Sequence, residues 1–185
     1  MFGTNGGGST SADVSATRRL ADQYFDAERW DTAEIEYQRL VEEDPYNSPA
    51  WFRLALTKLK RLGKIDASTS NSENAEAAMD EQQVELLQAT RSAFANAMES
   101  PSFRNESRHL LAKLETQLGN LKTAVSWLDE AVKDGYSIRG GLLSDSSFES
   151  LASVDGFQAV VAQERENAER RFSQRRNLPS VQDGR

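Results

Sequence analysis

At 185 residues the chain is long enough for one domain with a real core. Its 38% hydrophobic and 8% aromatic content makes it globular, while a net charge of −7 argues against general affinity for nucleic acid or anionic lipid, which repel an acidic surface. Cysteine is absent, which removes disulfides, thiolate catalysis and zinc–thiolate sites but leaves the compartment open.

No apolar run approaches the roughly 20 residues that span a membrane. The opening, MFGTNGGGSTSADVS, lacks the basic start and apolar segment of a signal peptide. Residues 1–12 read as a disordered Gly/Ser tether. Cytoplasm is the default compartment; a trimmed upstream signal or anchor would instead place the chain in a periplasm or at a membrane.

Asp13 or Ser15 is positioned to cap a first helix, whose apolar positions Val14, Ala16, Leu20, Tyr24 and Ala27 fall on one face. Asp31, with Glu34 three residues on, forms a capping-box pattern for a second helix. Ala33, Tyr37, Leu40 and Val41 make its buried stripe, and Asp44–Pro45 ends it. Ser48–Pro49 then starts a third helix, carrying Trp51, Leu54, Ala55, Leu59 and Leu62 up to a stop at Gly63. Two short helices, a proline break and a restart are the pattern of a stacked helical repeat.

These residues resemble the tetratricopeptide repeat family. The first unit supplies Leu20–Ala21, Tyr24, Trp30, Ala33, Tyr37, Leu40 and Pro45. The second opens with Trp51-x-x-Leu54-Ala55, with alanine where the family has glycine, and a later unit carries Leu111–Ala112, Gly119, Leu121, Ala124, Leu128 and Ala131. The spacing from Ala21 to Ala33 equals that from Ala112 to Ala124, and Ala33 to Leu40 equals Ala124 to Ala131. The resemblance implies an all-α fold: a short right-handed α-solenoid of about three helix–turn–helix units over 13–134, plus C-terminal capping helices over 135–172. Residues 173–185 are expected to be a disordered tail.

The middle unit departs from the family. A polar stretch over about 65–74 reads as an insertion, and the acidic, alanine-rich residues from about Glu73 lengthen the next helix towards Ala97. Val84, Leu87, Phe94 and Met98 form its apolar face, with Arg91 on the flank. The third unit runs Glu106–Leu118 and Leu121–Lys133, closed by Asp134–Gly135–Tyr136. After it, Asp145, Phe148, Leu151, Phe157 and Val160 resemble a tail that follows the last repeat in bacterial members of the family. Such a tail puts Leu143, Phe148, Leu151, Phe157 and Val161 over the last helix.

Convergent chemistry is scarce. The single histidine, His109, has no second histidine or cysteine beside it, the carboxylates spread along helix faces, and Gly140–Gly141 lacks the lysine of a phosphate loop. No catalytic, cofactor or metal residue is expected. Arg170, Arg171, Arg175 and Arg176 form the one basic cluster, suited to a solvated helix end or an acidic partner. In the resembled family, the first helix of each repeat lines a concave groove that binds peptides or helices. Carried over, that groove takes Arg18, Asp22, Phe25 and Asp26 from the first unit, Phe52, Leu56 and Lys60 from the second, and His109, Lys113 and Gln117 from the third. Asp22 and Arg53 stand where the chaperone-tail clamp of one branch uses asparagine, which disfavours that activity. Two readings follow: a non-catalytic adaptor that binds another protein in the groove, or a structural subunit of a homo- or hetero-oligomer using its outer faces.

Overall fold

The structure, a computed structural model, describes residues 11–63, 75–138 and 140–176. All regular structure among them is helical, as the sequence leads one to expect. The expected insertion over 65–74 lies outside the described residues, as do residues 1–10 of the expected tether over 1–12 and residues 177–185 of the expected tail over 173–185; residues 11–12 instead begin α1 and 173–176 continue α7. The chain forms two compact units, one of residues 11–63 and 76–107, the other of 108–138 and 140–176.

The first unit holds α1 (Ser11–Asp26), α2 (Trp30–Glu43), α3 (Ser48–Leu62), a 3-10 turn (Ala75–Ala78), α4 (Glu81–Ala97) and the start of α5 (Pro101–Gln117). Successive helices from α1 to α4 pack as neighbours. Ala21, Ala33, Ala55 and Ala97 are fully buried, so these helices approach closely where a larger side chain would hold them apart. Tyr37, Leu40, Leu54, Leu87 and Phe94 fill the space around them.

Helix ends account for most differences from expectation. α2 begins at Trp30, and its N-cap is Arg29, which makes no side-chain cap bond. The Asp31/Glu34 capping box does not form, because both carboxylates reach α3 instead: Asp31 pairs with Arg61 at 2.7 Å and Glu34 with Lys58 at 2.7 Å. A capping box appears instead on α4, where Asp80 accepts from the Gln83 amide and the Gln83 side chain accepts from the Asp80 amide. The long helix expected from about Glu73 is therefore broken at Met79–Asp80. Arg91, on the flank of α4, holds the preceding 3-10 turn by a two-pronged pair with Glu76, 3.2 Å to each oxygen. α1 closes with the Arg29 amide on the Tyr24 carbonyl and the Glu28 amide on the Phe25 carbonyl. This ending needs a left-handed residue, and Glu28 (φ 56°) takes the place glycine usually fills.

The second unit contains the rest of α5, then α6 (Leu121–Lys133), 3-10 turns at Leu142–Ser144 and Ser146–Ser153, and α7 (Phe157–Arg176). The bounds of α6 are those its flanking turns suggest. Gly119 (φ 79°) and Gly135 (φ 81°) supply the left-handed residues that close α5 and α6. One cluster joins Ala112 of α5 and Ala124, Leu128 and Val132 of α6 to Leu142, Phe148, Leu151, Phe157, Val160 and Val161. The apolar tail thus packs on α6, with one exchange: Leu142 is buried and the expected Leu143 is 54% exposed.

Candidate binding face

In the first unit α3 is the central element of the candidate face. Its adjacent residues Phe52 and Arg53 reach opposite ways. Phe52 stacks on Phe103 of α5 (5.0 Å between centroids, 27° between planes) and meets the edge of Phe94. The Arg53 guanidinium lies 5.2 Å over the ring of Phe25 on α1, and its Nε is 3.8 Å from Asp22 Oδ1. That same Asp22 oxygen accepts the Tyr37 hydroxyl at 2.6 Å. Burial, and then the Asp22 carboxylate, push the Tyr37 phenol well above its usual range, so Tyr37 is a fixed donor that holds Asp22 in place. Phe25 further meets Trp30 edge-on at 5.0 Å. Phe25, Phe52 and Leu56 are all half-buried, while Arg18, Asp26 and Lys60 are exposed. The structure thus brings Asp22 and Phe25 together through Arg53, which sequence reasoning weighed only as a departure from a clamp.

A separate charged network ties α2 to α3. Glu34 accepts from both Lys58 and Arg61. Burial opposes its charge, but the two cations prevail and hold its carboxyl below the ordinary carboxylate range. A cleft of about 490 Å³ opens beside this network, towards Asp80, Gln83 and Leu86 of α4. Its two cations are already matched by carboxylates.

In the second unit the other three expected residues have different surroundings. Gln117 is exposed. His109 is 8% exposed, its ring edge-on to Phe148 (5.4 Å, 84°) and 5.7 Å from Tyr136. Lys113 Nζ pairs with Asp145 Oδ2 at 2.8 Å, while His109 Nε2 lies 3.8 Å from the same oxygen, beyond hydrogen-bond reach. The chain's own tail therefore covers the α5 face that His109 and Lys113 present. Burial, with Lys113 adding to it, pulls the His109 pKa down to about 4, so the ring is neutral near pH 7. Burial resists the charge of Asp145, yet Lys113 and the Ser147 amide and hydroxyl hold its carboxyl below its usual value. Asp145 is the expected cap, accepting from the Ser147 amide at 3.0 Å, and its second role as the partner of Lys113 could not be seen in the sequence.

α7 adds polar contacts that its almost wholly polar sequence conceals. Asn167, 4% exposed, donates to the Val132 carbonyl (2.7 Å) and the Tyr136 carbonyl (3.0 Å), closing the end of α6. Arg170 donates to Asn167 Oδ1 and Arg171 to the Gly135 carbonyl. Part of the basic cluster is therefore structural. Glu164, buried, accepts from the Ile138 amide at 3.1 Å. Replacing Asn167 by alanine removes its bonds to the Val132 carbonyl, which keeps the Gly135 amide, and to the Tyr136 carbonyl, and should lower stability by about 1 kcal/mol. Urea unfolding measures this; an unchanged midpoint would mean that Asn167 does not close the helix.

The fold and these faces define an all-α protein of packed helical hairpins. A family model described as tetratricopeptide repeat matches residues 14–57 of this chain. Among solved structures, it is similar to the crystal structure of PcrH in complex with the chaperone binding region of PopD, at 15% identity and a TM-score of 0.52, covering 89% of this chain and 97% of that one. Comparison with curated protein sequences gives no match. Among the described residues no group of histidine and carboxylate side chains is arranged to hold a metal ion, and no helix is long and apolar enough to cross a membrane.

Proposed function

We propose that this protein is a non-catalytic adaptor that holds a segment of a partner protein against α1 and α3 of its first unit. The observation that carries this reading is that Phe25 on α1 and Phe52 and Leu56 on α3 are half-buried, while Arg18, Asp26 and Lys60 of the same helices are exposed. Partly exposed aromatic side chains fixed by their neighbours are the usual energetic centre of a protein contact. Two further facts support it: the repeat fold, and PcrH, a protein of similar fold that is itself bound to a segment of another protein. On this reading His109 and Lys113 contribute through the tail they hold, and Gln117 stays at the margin. The alternative, a structural subunit, draws support from Ile35, 54% exposed on α2.

Leu56→Asp is the direct test, since the side chain is only half-buried. Affinity capture from the native host, quantified against the unaltered protein, should lose the specific partner at least tenfold, about 1.4 kcal/mol. Equal recovery, with the helical content unchanged, would refute the groove reading. A stable dimer in sedimentation that dissociates on Ile35→Asp would favour the subunit reading.

A further inference from the structure

Arg53 carries an inference about what the partner segment contains. Its side chain is 43% exposed, with the guanidinium 5.2 Å over the Phe25 ring and 3.8 Å from Asp22. No hydrogen bond among the described residues uses its N–H groups. Four other arginines of the first unit hold an acceptor: Arg39 takes Glu36, Arg61 takes Glu34 and Asp31, Arg91 takes Glu76 and Arg104 takes the Met98 carbonyl. Arg53 has only the long contact to an oxygen that already receives the Tyr37 hydroxyl. An arginine held over an aromatic ring with its donor fork free of hydrogen bonds is pre-organised for a carboxylate, because less side-chain freedom is left to lose on binding. Arg18 and Lys60, exposed and without a carboxylate partner among the described residues, add positive charge on α1 and α3, against the exposed Asp26. Phe52, the next residue to Arg53, turns toward Phe94 and Phe103 and, like Leu56, stays only half-buried on α3.

We infer that the partner segment presents an aspartate or glutamate side chain to Arg53 and a large apolar residue, close by in sequence, to Phe52 and Leu56. This rests on the adaptor reading and narrows it. The second unit contains an internal contact of the same kind, in which Asp145 takes Lys113 and Phe148, three residues on, takes His109.

The test uses the whole chain to select from a library of short random segments displayed inside a carrier loop, so that no segment has a free C-terminus. Enriched segments should carry Asp or Glu within a few residues of an aromatic or large aliphatic residue. Synthetic versions with both ends blocked should bind Arg53→Gln about tenfold or more weakly than the unaltered protein, with part of the loss restored in Arg53→Lys. Two results overturn the inference while leaving the adaptor reading intact: Leu56-dependent segments without acidic enrichment, or segments that bind only once given a free C-terminal carboxylate. Segments whose binding ignores Leu56→Asp remove the adaptor reading itself. The composition of the enriched segments needs no variant, so a poorly folded Arg53→Gln does not spoil the experiment.

Discussion

Phe148→Ala loosens the second unit more than any surface change. The ring is 2% exposed, packs edge-on against His109, and shares a cluster with Leu142, Leu151, Phe157 and Val160. Truncating a buried phenylalanine removes its transfer energy and leaves a cavity, a loss of about 3–5 kcal/mol. Small domains have only about 5–15 kcal/mol in total, so the unit would be near its unfolding threshold. Trp127 packs against this cluster, whereas Trp30 and Trp51 belong to the first unit, so in a Trp30→Phe, Trp51→Phe background its fluorescence reports on the second unit alone. A urea midpoint shifted by less than about 1 kcal/mol would mean that the tail is an ornament on α6 instead of part of its core.

Acid should act on the same place. The His109 pKa lies near 4 in the folded protein, against 6.5 for the free side chain, so between those values the unfolded chain binds the proton and the folded one does not. Stability is therefore complete above pH 6.5 and declines as pH falls towards 4, by on the order of 2 kcal/mol. Asp145 acts in the same direction at lower pH: its folded carboxyl is depressed, so its contribution is present above the free value of 3.8 and is lost as pH falls further. Urea midpoints measured from pH 7 to pH 4 should fall for the unaltered chain and flatten in His109→Phe, which keeps the ring and removes the titration. An equal decline in both would assign the acid sensitivity elsewhere.

Sequence was most informative where a single residue type does a single local job. Gly119–Asn120 and Asp134–Gly135 bracket α6 because only glycine enters the left-handed turn without strain, and the alanine spacing showed where helices cross. It was least informative where a side chain has two possible partners. Glu34 fits a capping box three residues from Asp31, yet Lys58 and Arg61, brought in by the packing of α3, offer full positive charges that outcompete a backbone amide. Glu28 stands where a glycine signal was absent. Leu142 and Leu143 are neighbours in a 3-10 turn, where the helical period does not decide which one points inward. At the proposed face, Phe25 and Phe52 were legible as first-helix positions of a repeat. The state of Arg53 depends on a ring from another helix, which a linear pattern does not display.

The tail also bears on how such a chain can change over generations. Lengthening by duplication requires each new hairpin to find an apolar helix face on its neighbour. After α6 that face is taken by Leu142, Phe148, Leu151 and Phe157, and Asn167 closes the helix end. A copy of a hairpin inserted behind Lys133 would have to compete with a seal already in place. The tail thus makes the far side of α6 an unfavourable place for a further hairpin.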